Sequence, residues 1–391
     1  MFYKVYHEFN VLNRENKMQY RTFNNIDVKT SLLGMGAMRL PLNEDGSVDE
    51  TEAIKIIREA IDSGINYVDT AYGYHKGLSE VIVRKALQNG YREKVILADK
   101  MPAWLAEDEE SMKQIFYTQL ERLGVDCIDM YLVHNINRGI WKRCKKFNVM
   151  DFLTEMKSQG KIKHIGFSFH DSYEFFEEML DEYPWEFCQI QLNYMDINHQ
   201  AGIKGLHLAA QKGLGVIIME PLKGGRLTDK IPPAIQKIWD EAEVKRSPAE
   251  WAFKWLAAQP EVTLMLSGMS SIKQLNENIE IVSKEDVALL TDSENKLIEK
   301  VSAEYNRLIP YSCTGCEYCM PCPQKLDIPK ILGYYNDWNV YEQNPSTKME
   351  YSTWMTKFAS DCIGCGSCEE NCPQSLPIIK AMKEASEAFG K

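Results

Sequence analysis

Long apolar runs are missing from this 391-residue sequence: none reaches the ~20 residues needed to cross a bilayer, which excludes a membrane span. Basic residues are also in short supply. Lys and Arg number 45 against 56 Asp and Glu, a formal charge of -11, whereas a protein that binds nucleic-acid phosphates needs a basic face to release counterions. The first residues lack a charged start followed by an apolar core, so they do not read as a secretory signal, and a cytoplasmic location is expected. What is present, 45% hydrophobic and 26% charged residues, is the composition of a globular protein. The length suits one large barrel with a small appendage, or two to three modest domains.

Residues 1–17 read as an extension, either disordered or the product of a start codon placed too early, because a more regular segment opens only at Met18. From Thr30 to about Val282 short β-branched or apolar runs alternate with longer helical ones, the pattern of parallel α/β architecture. Eight strands are predicted: SLLGMG, INYVDTA, KVILADK, CIDMYLVH, KHIGFSF, FCQIQLN, GVIIMEP and VTLMLSG. Between them lie helical stretches such as TEAIKIIREAIDSG, ESMKQIFYTQLERLG and AGIKGLHLAAQKG, each closing on a glycine that can take a left-handed cap. Eight repeats in roughly 250 residues are the size of a (β/α)8 TIM barrel. The predicted division is an extension over 1–17, a barrel over 18–308 and a small α-helical, cysteine-rich domain over 309–391.

In such barrels the reacting groups sit where strands end. The predicted strands from the second onward end in chemically unusual residues: Asp69, Lys100, His134, Ser168, Gln191 and Asn193, Glu220 and Pro221, then Ser267 and Gly268. Singly, Lys100 reads as a solvated strand-end lysine and His134 as a core histidine bonded to backbone. Gathered at one barrel mouth with Asp69 and Tyr74, they are hard to explain as packing. The motif DTAYGYHKGLSE, with the lysine closing the next strand and the histidine the one after, resembles the aldo-keto reductase family, and the likeness spans Met18 to about Ile281.

That resemblance implies hydride transfer between NADP or NAD and a small carbonyl or alcohol. A carbonyl oxygen needs a general acid within hydrogen-bond reach, and Tyr74 is the candidate. A phenol with a reference pKa of ~10 is a reluctant donor or base near neutrality unless a cation is close by. Lys100 supplies the cation, Asp69 holds Lys100, and neutral His134 donates to the substrate oxygen. The resemblance further implies that Ser168 and Gln191 grip the nicotinamide carboxamide, with Gly36, Ala37, Met38, Glu220, Pro221 and Leu222 around the dinucleotide. Ser267, Gly268, Ser270, Gln274 and Asn278 fall along its adenosine. Two positions depart from the family pattern: Phe169 replaces an asparagine beside the serine, leaving room for another planar cofactor such as a flavin, and Gln274 stands where an arginine often meets a 2′-phosphate. Lys273 is the only cation close by in sequence. Trp104, Tyr72 and Trp141 are candidates for an aromatic wall facing an apolar or ring-bearing substrate.

Of the eleven cysteines, Cys127, Cys144 and Cys188 are scattered and read as structural thiols, while eight crowd into CTGCEYCMPCP and CIGCGSCEENCP. A reducing compartment disfavours disulfides, so clustered cysteines point to metal or redox centres. The second run has the C-x2-C-x2-C-x3-C-P spacing of bacterial ferredoxins, in which three cysteines hold one [4Fe-4S] cubane and the fourth reaches the other cluster. By that likeness Cys313, Cys316, Cys319 and Cys372 bind one cluster, and Cys362, Cys365, Cys368 and Cys322 the second, although the first run is one residue short before Cys322. Zinc held by four cysteines is the alternative; with no histidine after His207, mixed zinc sites are excluded in the tail.

A hydride carries two electrons and a cubane passes one, so joining the halves calls for a converter such as a flavin. Three arrangements are open: clusters that wire the barrel to a ferredoxin or flavoprotein, which is favoured, clusters that serve as structure or redox sensors, and a flavin that replaces or joins the nicotinamide. The competing reading is a nicotinamide- or flavin-binding sensor or electron-transfer module in which the clusters, not carbonyl reduction, are the main activity.

Overall fold

The computed structural model describes residues 18–23, 25–229, 231–340, 343 and 345–391; the extension read over 1–17 lies outside them. Two compact units emerge. The first runs to Gln191 and adds Gln200–Met219 and Phe253–Leu289; the second gathers Leu192–His199, Glu220–Ala252 and Leu290–Lys391.

The first unit is a closed, all-parallel eight-stranded barrel preceded by a hairpin. The hairpin pairs β1 (Tyr20–Thr22) with β2 (Lys29–Ser31). The barrel runs through β3 (Leu33–Gly36), β4 (Tyr67–Asp69), β5 (Ile96–Met101), β6 (Ile128–Ile136), β7 (Ile162–Phe169), β8 (Phe187–Gln191), β9 (Gly215–Met219) and β10 (Val262–Ser267), with β10 returning to β3. All eight predicted strands are found, and the (β/α)8 reading holds. The helices form where apolar spacing and caps coincide. In Glu109–Leu123 the Asp108 side chain accepts from Ser111 N–H in a capping box, Met112, Ile115, Phe116, Leu120 and Leu123 form the buried stripe, and Gly124 closes the helix at φ 65.

Alternation along the strands decides what faces the lumen. Tyr67, Ala98, Met130, Leu132, Phe187, Ile217, Leu264 and Leu266 make one buried cluster inside the barrel, so Asp69, Lys100, His134 and Gln191, one or two strand repeats further on, also point inward at the strand ends. The opposite end is plugged by Phe23 from the hairpin, which the strand-helix alternation did not reveal. Its ring packs edge-on against Phe187 at 6.1 Å, and a Cβ on Gly215 would come within 2.0 Å of it, so glycine is required where β9 begins.

The second unit includes the helix Asp292–Leu308, started by a Thr291 capping box and held by buried Ile298, Val301 and Tyr305. The cysteine-rich tail has its own core, built on helices Ile328–Val340, Pro345–Trp354 and Ile378–Phe389, with Tyr351 and Phe389 stacked at 4.2 Å. The aromatics between the cysteine runs thus serve the tail's own packing. Among the described residues no helix is long and apolar enough to cross a membrane. Because Phe23 fills one end of the lumen while the polar residues occupy the other, Phe23→Ala is expected to lower the unfolding free energy of the barrel by about 3–5 kcal/mol in urea melts.

Candidate active site

Asp69, Tyr74, Lys100 and His134 meet at the ends of β4, β5 and β6. The Lys100 side chain is fully buried, its Nζ 2.5 Å from Asp69 Oδ1 and 2.7 Å from the carbonyl oxygen of Thr70. Nζ also lies 4.9 Å from the centre of the Tyr74 ring, whose edge faces His134 with centroids 5.9 Å apart. Burial raises the Asp69 carboxyl above its ordinary range, and the Lys100 ammonium opposes that rise. His134 is driven well below the usual imidazole range by burial, then by Lys100 and His170, so the ring is neutral near pH 7.

Tyr74 is presented by a tight turn. His75 (φ 48) and Lys76 (φ 58) both adopt left-handed backbone ahead of Gly77 (φ 89), a strain on the order of 1–3 kcal/mol for each non-glycine residue. The turn is pinned from several sides: His75 Nε2 accepts from Leu40 N–H at 3.3 Å, and the Ser79 hydroxyl bridges Thr70 (2.8 Å) and the carbonyl oxygen of Ala37 (2.9 Å).

The residues assigned by resemblance to the dinucleotide fall into three groups. Ser168 and Gln191 are buried on the lumen side, and Ser168 Oγ accepts from Asn135 N–H at 2.8 Å. Phe169 alternates to the outside, where it packs on Phe175 and Phe176 at 5.9 and 5.0 Å, so the departure from asparagine leaves the lumen untouched. Gly36 and Ala37 are buried at the end of β3, with Met38 half-buried after them, and Ala37 N–H donates to the carbonyl oxygen of Asp69 at 2.8 Å. Beyond β10, Ser267 Oγ accepts from Asn278 Nδ2 at 3.4 Å, and the Ser270 N–H donates to Gln274 Oε1 at 2.9 Å. Glu220, Pro221 and Leu222 belong to the second unit, where Glu220 (φ 55) has its carbonyl oxygen bound by Asn193 Nδ2 at 3.0 Å.

Sequence reasoning missed Arg39. A Cβ on Gly268 would lie 3.1 Å from its Cβ and 3.4–3.5 Å from its Cγ and Cδ, so the stem of a cation far away in sequence lies beside the segment in which Gln274 stands for an arginine. The aromatic wall is corrected. Trp104 lies beside His134, centroids 5.2 Å apart, but Trp141 is buried on helix Arg138–Lys146 against Trp185 (5.9 Å), and Tyr72 lies under Arg122 at 4.6 Å.

The eight clustered cysteines all lie within the second unit. Cys313, Cys316, Cys319 and Cys372 are electrostatic neighbours, although Cys372 comes from the other run. Cys322, Cys362, Cys365 and Cys368 line one pocket, together with Cys319, Leu326 and Ile378. Burial pushes the Cys316 thiol up to about 11 and Cys319 to about 12, so thiolates there need a metal to hold them deprotonated. Among the described residues no three His, Cys, Asp or Glu side chains are arranged to hold a metal ion. A donor set of eight free thiols fits iron-sulfur clusters.

The depressed pKa of His134 has a stability consequence. The folded state refuses a proton that the unfolded chain accepts below about pH 6.5, so its contribution is complete above that pH and is lost as the pH falls toward the lower folded value. His134→Gln is expected to flatten the fall of Tm with acidification below pH 6.5, followed by circular dichroism.

A model described as the aldo/keto reductase family matches residues 32–303, and one described as a 4Fe-4S dicluster domain matches residues 312–376. L-galactose dehydrogenase of Arabidopsis thaliana is 28% identical over 287 residues, covering 68% of this chain and 89% of that protein. The NADH-specific methylglyoxal reductase of Escherichia coli (strain K12) is 28% identical over 302 residues, covering 65% and 90%. The holo form of an aldo-keto reductase from Bacillus halodurans superposes with a TM-score of 0.61 at 27% identity, over 73% of this chain and 96% of that one. With a closed parallel barrel and a family match across most of its length, this chain belongs to the aldo/keto reductase family of oxidoreductases and carries a 4Fe-4S dicluster domain at its C-terminal end.

Proposed function

We propose that the protein transfers hydride between NAD(P)H and a small carbonyl or alcohol at the Asp69, Tyr74, Lys100 and His134 site, while two [4Fe-4S] clusters exchange electrons with a redox partner. The observation that carries this reading is the buried Lys100, held by Asp69 and Thr70 with its ammonium against the Tyr74 ring. A bound nicotinamide dinucleotide would supply or accept the hydride; Ser168 and Gln191 would hold its carboxamide. The fit is supported by the buried polar lining on the lumen side of β7 and β8.

Each side chain has a separable task. Tyr74 gives its proton to the substrate oxygen, and the adjacent ammonium stabilises the phenolate left behind. Asp69 keeps Lys100 aimed by a charge-assisted bond. His134, kept neutral, donates an N–H to the carbonyl oxygen and orients it. Trp104, beside His134, is the remaining candidate for an apolar wall. Arg39, lying along Gly268, is the cation that would meet a dinucleotide phosphate in place of the residue absent at Gln274.

The functional boundary is proposed at residues 308 and 309, with carbonyl chemistry before it and clusters after it. Cys313, Cys316, Cys319 and Cys372 would hold one cubane and Cys322, Cys362, Cys365 and Cys368 the other, each passing single electrons to a ferredoxin or flavoprotein in the cytoplasm. Linking them to hydride chemistry requires a two-electron to one-electron converter, for which a flavin has the right chemistry.

Tyr74→Phe is expected to abolish turnover of aldehydes and ketones while NADPH binding, followed by fluorescence, stays near the wild-type value; an active variant would end the assignment. Protein purified anaerobically is expected to be brown and to contain about eight irons with matching acid-labile sulfide. Stripping the iron should stop electron exchange with a ferredoxin, and carbonyl turnover that continues unchanged would reject the wired arrangement.

A further inference from the structure

The wall behind Lys100 contains two acids for which the reductase chemistry has no task. Asp99 precedes Lys100 on β5 and so points out of the lumen into the helix layer, where Glu80 of helix Leu78–Ala86 meets it; both are fully buried. Asp99 Oδ1 accepts from Lys100 N–H and Oδ2 from Gln119 Nε2, both at 2.8 Å. The second Nε2 hydrogen of Gln119 goes to the carbonyl oxygen of Lys100 (3.0 Å), and its Oε1 accepts from the Tyr131 hydroxyl (2.5 Å). Glu80 Oε2 accepts from Arg122 at 2.8 Å.

That leaves Glu80 Oε1. It is buried with no N–H or O–H to bind, and its neighbours are the Asp99 carboxyl and a Gln119 amide with both hydrogens already given away. Tyr131 has spent its one hydrogen as well. The contact between the acids closes only if one of them carries a proton, since two buried carboxylates side by side do not both ionise. Burial and mutual repulsion favour the same state.

From Arg122 the network reaches the Tyr74 turn. The guanidinium lies 4.6 Å from the Tyr72 ring and donates to the Tyr72 carbonyl oxygen at 3.4 Å, and any Cβ at Gly77 would come within 2.8 Å of it. The contacts fall on either side of Tyr74 and enclose the two left-handed residues. We propose that Glu80, Asp99 and Arg122 form a proton-bridged clamp that ties the Tyr74 turn to the Lys100 strand and so sets the phenol against the ammonium. They are positioning residues, and their role rests on the reductase reading of Tyr74.

The test compares Arg122→Gln, Arg122→Lys and Glu80→Gln with the wild type in the full-length protein, with Tyr74→Phe alongside. Arg122→Gln is expected to lower kcat roughly a hundredfold, the scale of a misplacement near 1 Å, while KM for the dinucleotide stays within about twofold. Arg122→Lys should recover part of kcat. The infrared band of a protonated carboxylic acid, recorded at neutral pH, should be present in the wild type and lose intensity in Glu80→Gln, where an amide supplies the missing hydrogen. A folded Arg122→Gln protein with wild-type kcat overturns the clamp, and so does an infrared spectrum that Glu80→Gln leaves unchanged, which needs no activity and stands even if the arginine variants fail to fold. If Tyr74→Phe is fully active, the site assignment has failed instead, and the infrared difference still reports whether the acids share a proton.

Discussion

The chemistry proposed for the barrel depends on one buried ion pair, Lys100 with Asp69. Removing both charges from water is costly, and the pair persists because the ammonium has a carboxylate and a backbone carbonyl within 2.7 Å. Such a pair is a poor source of stability compared with apolar packing, but it fixes a positive charge in a place water does not screen. An ammonium in that setting lowers the cost of a phenolate nearby and of an imidazole that stays neutral. The other parts of the site follow from its placement: the strand alternation that turns Lys100 inward, the strained turn that brings Tyr74 over it, and the burial that keeps His134 uncharged.

The barrel supplies this placement by dividing its length. Apolar side chains and the Phe23 plug fill the lumen toward the strand starts, so the polar side chains at the strand ends are backed by rigid packing. Outside the lumen, the second set of polar residues, Glu80, Asp99, Gln119, Arg122 and Tyr131, ties helices to β5 and β6. It is a layer in which almost every hydrogen is assigned, and that accounting exposes a shared proton.

The tail solves a different problem. The core between Tyr311 and Phe389 is modest, and it takes in Cys313 while Cys319, Cys322, Cys362, Cys368 and Cys372 pack against it. Cys372, from the second run, is an electrostatic neighbour of Cys313 and Cys319 in the first. Arg226 and Glu220, from the loop after β9, act on the Cys313 thiol in opposite directions, so its electrostatics are shaped by residues far from the cysteine runs in sequence.

Much of this architecture is legible in the order of residues alone. Short apolar or β-branched runs alternating with amphipathic helices point to parallel α/β architecture, because strands covered by helices are apolar on both faces, and the cysteine spacings carry their chemistry in the chain itself. The lumen-facing tetrad is legible too, since strand ends are local features. Other features are not. Arg39 beside Gly268, the Phe23 plug, the outward turn of Phe169 and the burial of Trp141 depend on which distant segments meet, and no local spacing encodes that. The strands, the tetrad and the eight cysteines are written in residue order, whereas which charges are buried, which hydrogens are already committed and which loops are held arise only on folding, because those properties belong to neighbours brought together by closing the barrel.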